Sequence, residues 1–121
     1  MRKLKRSKCA VLTLVLKRQW YDMIDRGEKR VEFREVKPFW TRRIANWCAR
    51  MEGRTPILEF QCGYRADAPR VAFVAGDGDG LIFEHLTAST PVQHPDLGEF
   101  PGPRFCLFIG ERVSLEEAAD A

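Results

Sequence analysis

The chain of 121 residues contains no apolar run close to the roughly 20 residues that a membrane-spanning helix needs. Its basic N-terminus also lacks the small-residue cleavage site of a secretory signal. These two absences predict a protein without a membrane segment and with a cytoplasmic location. With 45% apolar and 31% charged residues, the composition is typical of one soluble globular domain.

Cysteine and histidine are too few and too scattered to predict a metal site. The four cysteines form no Cys-x-x-Cys pair, and neither His85 nor His94 lies near two cysteines in the sequence. Zinc sites need such clusters, so we expect no metal, no cofactor, and free buried thiols in place of a disulfide framework. The four thiols belong to Cys9, Cys48, Cys62 and Cys106.

A glycine-aspartate run at residues 76–80, Gly-Asp-Gly-Asp-Gly, resembles part of a calcium loop or a phosphate loop. It lacks the later bidentate glutamate of a calcium loop and the Gly-Lys-Ser/Thr of a phosphate loop. We therefore interpret it as the flexible tip of a hairpin that joins the apolar runs at 70–75 and 81–86.

Charge is distributed unevenly along the chain, although the net charge is only +3. Residues 1–70 hold 18 of the 20 Lys and Arg residues and 8 of the 17 acids, which gives that stretch a net charge of +10. The remaining residues carry a net charge of −7. This split favours a polyanion-binding face built from the first half of the chain. The alternative is that the two halves neutralise each other across the fold.

The hydrophobic pattern predicts an α+β fold in which strand, helix, strand and helix are followed by three or four strands. This order favours a small mixed or antiparallel β-barrel with two flanking helices. Residues 1–8 are predicted to be a mobile basic leader, 9–113 the barrel domain and 114–121 a frayed acidic tail. The helices are predicted at 17–26 and 38–50, and the strands at 9–16, 28–36, 57–62, 70–75, 81–86 and 105–113.

The most informative motif is Gly-Glu-Lys-Arg-Val-Glu-Phe-Arg at residues 27–34, a Gly-x-Lys-x-x-Glu-x-Arg signature. Gly27 stands where the first predicted helix must end, and glycine tolerates the left-handed conformation of a helix C-cap. After it the period changes to two, so Glu32 and Arg34 share one face of a strand. They can form a structural ion pair or hold a polar ligand together. We expect Lys29 at the mouth of the surface that this strand lines.

The chain resembles the ASCH domain family, whose small barrels are related in shape to the PUA, EVE and YTH RNA-binding domains. The likeness covers most of the chain. Its residues are the Leu-Thr-Leu run at 12–14, the helix at 20–24, the signature, Glu-x-Lys-Pro-Phe-Trp at 35–40, the Gly-Tyr to Ala-Pro loop at 63–69, and the closing strand at 105–113.

The resemblance implies a cleft beside a PUA-like barrel that holds single-stranded RNA, a nucleoside or a nucleotide. Lys29 and Arg34 would contact phosphate or base edges, and Glu32 would accept a hydrogen bond from a base amino group or orient Arg34. Aromatic side chains would stack on the bases. The remaining residues that we predict to bind RNA or a nucleotide are Lys37, Phe39, Tyr64 and Arg65.

Some relatives in this family are hydrolases, which makes an enzyme the first alternative. The branch that hydrolyses acetylcytidine carries Gly-x-Lys-x-x-Thr-x-Arg, and Glu32 stands here in place of the nucleophilic threonine. A carboxylate cannot supply that hydroxyl, so this amidase reaction is not expected. A metal-independent ribonuclease or a modified-nucleoside hydrolase would use Lys29 and Glu32 as catalytic residues. A second alternative is an adaptor that presents the basic face to a protein partner.

Overall fold

The structure, a computed structural model, describes residues 1–86, 92–94, 98–100 and 103–117. Within these ranges two α-helices, α1 (Arg18–Asp25) and α2 (Pro38–Ala49), accompany nine strands and a short 3-10 helix at Arg6–Lys8. Neither helix is long and apolar enough to cross a membrane. The strands are β1 (Arg2–Lys5), β2 (Cys9–Leu16), β3 (Val31–Glu35), β4 (Thr55–Cys62), β5 (Arg70–Ala75), β6 (Phe83–Leu86), β7 (Val92–His94), β8 (Gly98–Phe100) and β9 (Arg104–Glu116).

Both helices begin and end close to where the sequence predicts. Gly27 follows α1 with a φ of 78°, and its amide donates to the carbonyl oxygen of Ile24, which is the expected helix C-cap. Pro38 opens α2 after Lys37, whose extended backbone is the conformation that a following proline favours. The buried faces of the helices pack on one side of the sheet, where Ile24, Ile44 and Trp47 join the main core.

Seven strands form one mixed sheet, which confirms the α+β class. The main path is β1-β9-β5-β4-β2, and β3 and β6 also pair with β9. The β1–β9 and β2–β4 pairs are parallel, and the other pairs in this sheet are antiparallel. Among the described strands, β1 and β2 stand at the two ends of the path without pairing with each other. The structure therefore shows a mixed sheet with two helices, and β7 and β8 form a separate two-stranded ribbon.

The predicted hairpin between residues 70–75 and 81–86 is wrong in its pairing. Asp77 and Leu81 do close a turn, with a hydrogen bond of 3.0 Å from the Asp77 amide to the Leu81 carbonyl oxygen. However, β5 and β6 do not pair with each other; β5 pairs with residues 109–113 of β9 and β6 with residues 104–107. Because β9 is 13 residues long, it accommodates both strands along its length.

The predicted division into leader, domain and tail also needs correction. Arg2–Lys5 is not a mobile leader, because it forms β1 in parallel register with residues 113–116 of β9. Leu4 packs against a second buried cluster, so the segment contributes apolar surface as well as backbone pairing. The predicted tail begins inside β9, which runs to Glu116. Residues 118–121 of that tail lie outside the described residues.

A bulge in β9 allows side chains of this strand to join the buried clusters on both faces of the sheet. Phe73 pairs with Arg112, but Ala75 pairs with Ile109, so β9 contains one extra residue between the two pairs. Such a shift reverses the faces of the following side chains. Accordingly, Ile109 belongs to the helix-side core and Val113 to the cluster on the other face. Gly110 lies at the bulge, where an added Cβ would come within 2.6 Å of the Val74 carbonyl oxygen.

All four cysteines are free thiols. Cys9 and Cys106 are buried as predicted, whereas Cys48 and Cys62 are only partly buried. Burial raises the pKa of Cys9, Cys48 and Cys106, which keeps these thiols protonated and unreactive at neutral pH.

Candidate functional site

A cleft of about 540 Å³ opens where β2 ends, α1 begins and the chain leaves β4; we call it the β2–α1 cleft. The amide of Gly63 donates to the carbonyl oxygen of Leu16 at 3.1 Å, which ties the loop after β4 to the end of β2. Tyr64, the next residue, is 90% exposed at the rim. The lining residues are Val15, Leu16, Lys17, Trp20, Arg34, Gly63 and Tyr64.

A buried group of charges adjoins this cleft; we call Lys29, Glu32 and Arg34 the Glu32 cluster. The Lys29 Nζ donates to Glu32 Oε1 at 2.9 Å, and the Phe33 amide donates to the same oxygen at 3.0 Å. The Arg34 Nη2 donates to Glu32 Oε2 at 3.4 Å. Lys29 is 1% exposed and Glu32 is 3% exposed, whereas Arg34 reaches the cleft. The carboxylate thus fixes a buried lysine on one side and a cleft arginine on the other.

The local sequence explains why Lys29 is buried. After the αL turn at Gly27, the amide of Lys29 donates to the Met23 carbonyl oxygen, which holds the chain against the end of α1. Its side chain then lies by the indole of Trp20, with Nζ 5.3 Å from the ring centroid. A lysine stem can pack along apolar surface while its ammonium finds a carboxylate partner.

Two aromatic residues of α2 contact the arginines next to the cluster. The Arg34 Cζ lies 4.8 Å from the Trp40 ring centroid, and the Arg43 Cζ lies 5.0 Å from the same centroid. Arg43 also lies 5.5 Å from the Phe39 centroid, because residues three and four apart share one helix face. These contacts hold the planar guanidinium groups in place by cation–π attraction.

The electrostatic balance around the cleft is positive. Burial, followed by the positive charges of Arg34 and Arg50, lowers the pKa of Arg43. Lys17 makes no ion pair with any residue in the described ranges, and Glu32 is the one carboxylate paired with Arg34 there. In addition, Arg34 Nε is buried without a hydrogen-bond partner among the described residues. An anionic ligand would therefore meet cations in excess of carboxylates.

The prediction that Lys29 stands at the mouth of the cleft is wrong. Its side chain and that of Glu32 are sealed within the fold, and neither lines the cleft. Of the three signature charges, only Arg34 does so. Glu32 and Arg34 do contact each other, as two residues on one face of a strand can.

The other predicted binding residues are distributed over the surface. Tyr64 lines the cleft, whereas Arg65 beside it pairs with Asp67 at 3.2 Å and does not line the cleft. Lys37 pairs with Glu35 at 3.0 Å and does not line the cleft. Exposed Phe39 packs edge-on against Trp40, with ring centroids 5.2 Å apart, and Trp40 in turn contacts Arg34.

Sequence reasoning missed Lys17 and Trp20, which line this cleft, and Arg43, which stacks on Trp40 next to Arg34. Trp20 falls on the apolar stripe of α1, a position typical of core residues, but it is only partly buried and lines the cleft. Lys17 stands three residues before it on the same side of the helix start, a spacing that could have indicated a shared surface. The i, i+3 pair of Trp40 and Arg43 is a second signal of that kind.

No protein-family model matches this chain, and no curated protein or solved structure is significantly similar to it. The function is therefore inferred from the chemistry of the cleft. That chemistry consists of an oriented arginine, a lysine without an ion pair among the described residues, and two aromatic rings around one opening.

Proposed function

We propose that this protein binds single-stranded RNA or a nucleotide in the β2–α1 cleft. The observation that carries the proposal is the meeting of Arg34 with two aromatic side chains, Trp20 and Tyr64, in one opening of about 540 Å³. Arg34 is held in place by its hydrogen bond to Glu32 and by its cation–π contact with Trp40. A guanidinium oriented in this way contacts phosphate, and the rings offer stacking surfaces for bases.

The division of labour within the cleft follows from these side chains. Arg34 and Lys17 supply the positive charge that positions a phosphodiester backbone. Trp20 and Tyr64 stack on unpaired bases, which every base permits because each has a π face. Because Glu32 already fixes Arg34, little conformational entropy remains to be lost when the ligand binds.

The finer fold assignment belongs to the same proposal: a PUA-like barrel of the ASCH type in a cytoplasmic protein. Supporting it, the Cys9 thiol donates to the Lys5 carbonyl oxygen at 3.3 Å, although these residues lie on the two end strands of the sheet path. In a flat sheet, five strands at ordinary spacing would hold their end strands roughly 19 Å apart. The sheet therefore curls strongly, as a barrel requires.

Binding is favoured over hydrolysis by the burial of Lys29 and Glu32. A general acid or base must come within hydrogen-bond reach of the substrate, and neither group lines the cleft. We expect no product when the purified protein is incubated with labelled single-stranded RNA or with acetylated cytidine. Turnover that Lys29→Ala abolishes and Lys8→Ala preserves would instead establish an enzyme.

The binding proposal is tested by comparing two alanine variants with a labelled single-stranded RNA of about ten nucleotides. Tyr64 is 90% exposed, so Tyr64→Ala should not disturb the fold. Loss of one stacked base typically costs about 1–3 kcal/mol, so we expect about 5- to 150-fold weaker binding by fluorescence anisotropy.

The matched control is Arg54→Ala. Arg54 is exposed and precedes β4, whereas the cleft lies past the other end of that eight-residue strand, roughly 25 Å away. We expect this variant to bind RNA within about twofold of the wild type. Equal losses in both variants would indicate a diffuse basic surface, and a wild-type protein that binds no RNA would refute the proposal.

A further inference from the structure

A second groove, of about 550 Å³, lies between β2 and α2; we call it the β2–α2 groove. Val15 and Leu16 of β2 line the β2–α1 cleft, whereas Val11 and Leu12 of the same strand line this groove. The two openings therefore follow one another along β2, since their lining residues on that strand lie four positions, or roughly 13 Å, apart. The other residues that line the groove are Arg43, Asn46, Ala49 and Arg50.

Arg43 on α2 and Arg50, the residue that follows α2, attach to the outer edge of β2. The Arg43 Nη2 donates to the Thr13 carbonyl oxygen at 2.7 Å, and the Arg50 Nη2 donates to the Val11 carbonyl oxygen at 3.1 Å. These carbonyls are two residues apart on the strand, which is roughly 6.6 Å. Among the described strands β2 pairs only with β4, so the arginines cover carbonyls that the sheet leaves unpaired.

The bonds to backbone carbonyls leave both positive charges unneutralised. A guanidinium has five N–H donors, and Arg43 uses one of them on the Thr13 carbonyl oxygen. Arg43 makes no ion pair with a described residue. Among the described residues, Arg50 likewise bonds only carbonyl oxygens, those of Val11 and Asn46. Arg34, Arg43 and Arg50 are near enough that the outer two charges help lower the pKa of the middle one, after burial.

We propose that the β2–α2 groove carries the phosphodiester backbone of an RNA strand whose bases occupy the β2–α1 cleft. The ligand is then an oligonucleotide, with Arg34, Arg43 and Arg50 following successive phosphates. This inference rests on the proposed function of the cleft. Arg43 and Arg50 make no ion pair with a described residue, and with Arg34 they form a row of like charges that matches a polyphosphate chain. The adjoining aromatic cleft favours RNA over an acidic protein segment.

The test compares uridine monophosphate with oligouridylates of increasing length, up to about ten nucleotides. Wild-type affinity should rise with the length of the oligouridylate. In Arg50→Gln, oligonucleotide affinity should exceed mononucleotide affinity by a smaller factor than in the wild type. Loss of one phosphate contact reduces the slope of log affinity against log salt concentration by about 0.7. The ratio of wild-type to Arg50→Gln affinity for the oligonucleotide should therefore be about fivefold larger at 0.1 M than at 1 M salt. Arg50→Lys, which keeps the charge, should restore most of the length dependence.

Arg54→Gln is the charge-matched control and should leave the affinities for every length unchanged. If Arg50→Gln leaves the length dependence intact while Tyr64→Ala abolishes binding, the groove inference is refuted and the cleft function stands. If the wild type binds neither the mononucleotide nor any oligonucleotide, both proposals fall. If polyglutamate competes as well as RNA and Tyr64→Ala has no effect, the groove takes an acidic protein, which also refutes the inference.

Discussion

Glu32 and Glu59 are both buried, and each is the centre of a cluster of charges. The Glu32 cluster borders the proposed site, whereas the Glu59 cluster does not. Glu59 on β4, 5% exposed, accepts two hydrogen bonds from Arg6 at 2.9 and 3.0 Å and one from the Thr13 hydroxyl at 2.9 Å. Glu32 on β3 has a buried lysine and a cleft arginine as its partners. Both carboxylates are satisfied, but they differ in what surrounds them.

The surroundings distinguish the Glu59 cluster from the Glu32 cluster, beside which the proposed site lies. The Glu59 cluster fastens the turn at Arg6–Lys8 onto the sheet and has no aromatic ring stacked on its arginine among the described contacts. Next to Glu32, arginines stack on Trp40, cations outnumber carboxylates, and the rings of Trp20 and Tyr64 face a cleft. Burial of an ion pair therefore does not identify a site, and the proposal depends instead on the cations that lie beside the rings of Trp20 and Tyr64.

The largest effect is expected from Glu32→Ala, which leaves Lys29 buried without its carboxylate. Loss of one partner from a buried pair typically costs about 3–5 kcal/mol in the free energy of unfolding, measurable by urea denaturation. Glu35→Ala, which breaks the exposed pair with Lys37, should cost less than about 1 kcal/mol. The double variant Lys29→Met/Glu32→Leu should recover much of the loss. An equal, small cost for Glu32→Ala and Glu35→Ala would contradict the account.

A smaller loss is expected at the other cluster. Glu59→Gln should cost about 1–3 kcal/mol, because Arg6 is partly exposed and can turn to water when its partner is lost. RNA affinity should stay within about twofold of wild type, since Glu59 lies away from the cleft. A large loss of RNA affinity in Glu59→Gln would contradict the claim that only the Glu32 cluster borders the proposed site.

The same variant gives a pH dependence with a defined sign. Burial alone would raise the pKa of Glu59, but the hydrogen bonds from Arg6 and Thr13 and the charges of Arg6 and Arg70 outweigh it, so the pKa is lowered. Its stabilising contribution is therefore complete above the unfolded value of about 4.3 and is lost as pH falls through the folded pKa. Urea denaturation should show the wild type and Glu59→Gln converging at acidic pH; a constant difference would contradict this.

Arg34→Lys tests whether the geometry of the cleft arginine matters. Lysine keeps the charge but loses the planar group that stacks on Trp40 and donates to Glu32. We expect RNA binding to weaken by about 1 kcal/mol, or roughly fivefold, with the salt dependence unchanged. Unaltered affinity would mean that Arg34 acts only as a point charge.

The smallest effects are expected at two residues that the sequence placed in the site. Lys37 and Arg65 are paired with Glu35 and Asp67 and do not line the cleft. Lys37→Ala and Arg65→Ala should each change RNA affinity by less than about twofold in the same anisotropy assay. A loss comparable to that of Tyr64→Ala would extend the site beyond the cleft.

Local sequence signals predicted the elements well, because helices and strands follow from short-range periodicity. The end of α1 before Gly27, the start of α2 at Pro38 and the strand at Arg70–Ala75 all lie where their residues indicated. Pairing is different, because it depends on distant residues. The parallel β1 and the placement of β6 follow from the length of β9, which no local pattern expresses.

The site was predicted only in part for a related reason. Periodicity placed Glu32 and Arg34 on one face, but it could not tell which groups would reach solvent. Lys29 lies in the five-residue link between α1 and β3, residues 26–30, where neither the helical nor the strand period applies. Its position depends on tertiary packing against Trp20. The role of Arg43 depends on α2 lying beside β2, a contact absent from the sequence pattern.

The most direct measurement of the central claim uses the indole N–H signals of the three tryptophans in a ¹H–¹⁵N spectrum, recorded during titration with a short oligouridylate. Trp20 lines the cleft, whereas Trp47 is fully buried and donates to the Ala10 carbonyl oxygen at 2.9 Å. The Trp20 signal should shift progressively until binding saturates, while the Trp47 signal stays in place. Saturable binding that leaves the Trp20 signal unmoved would contradict the account.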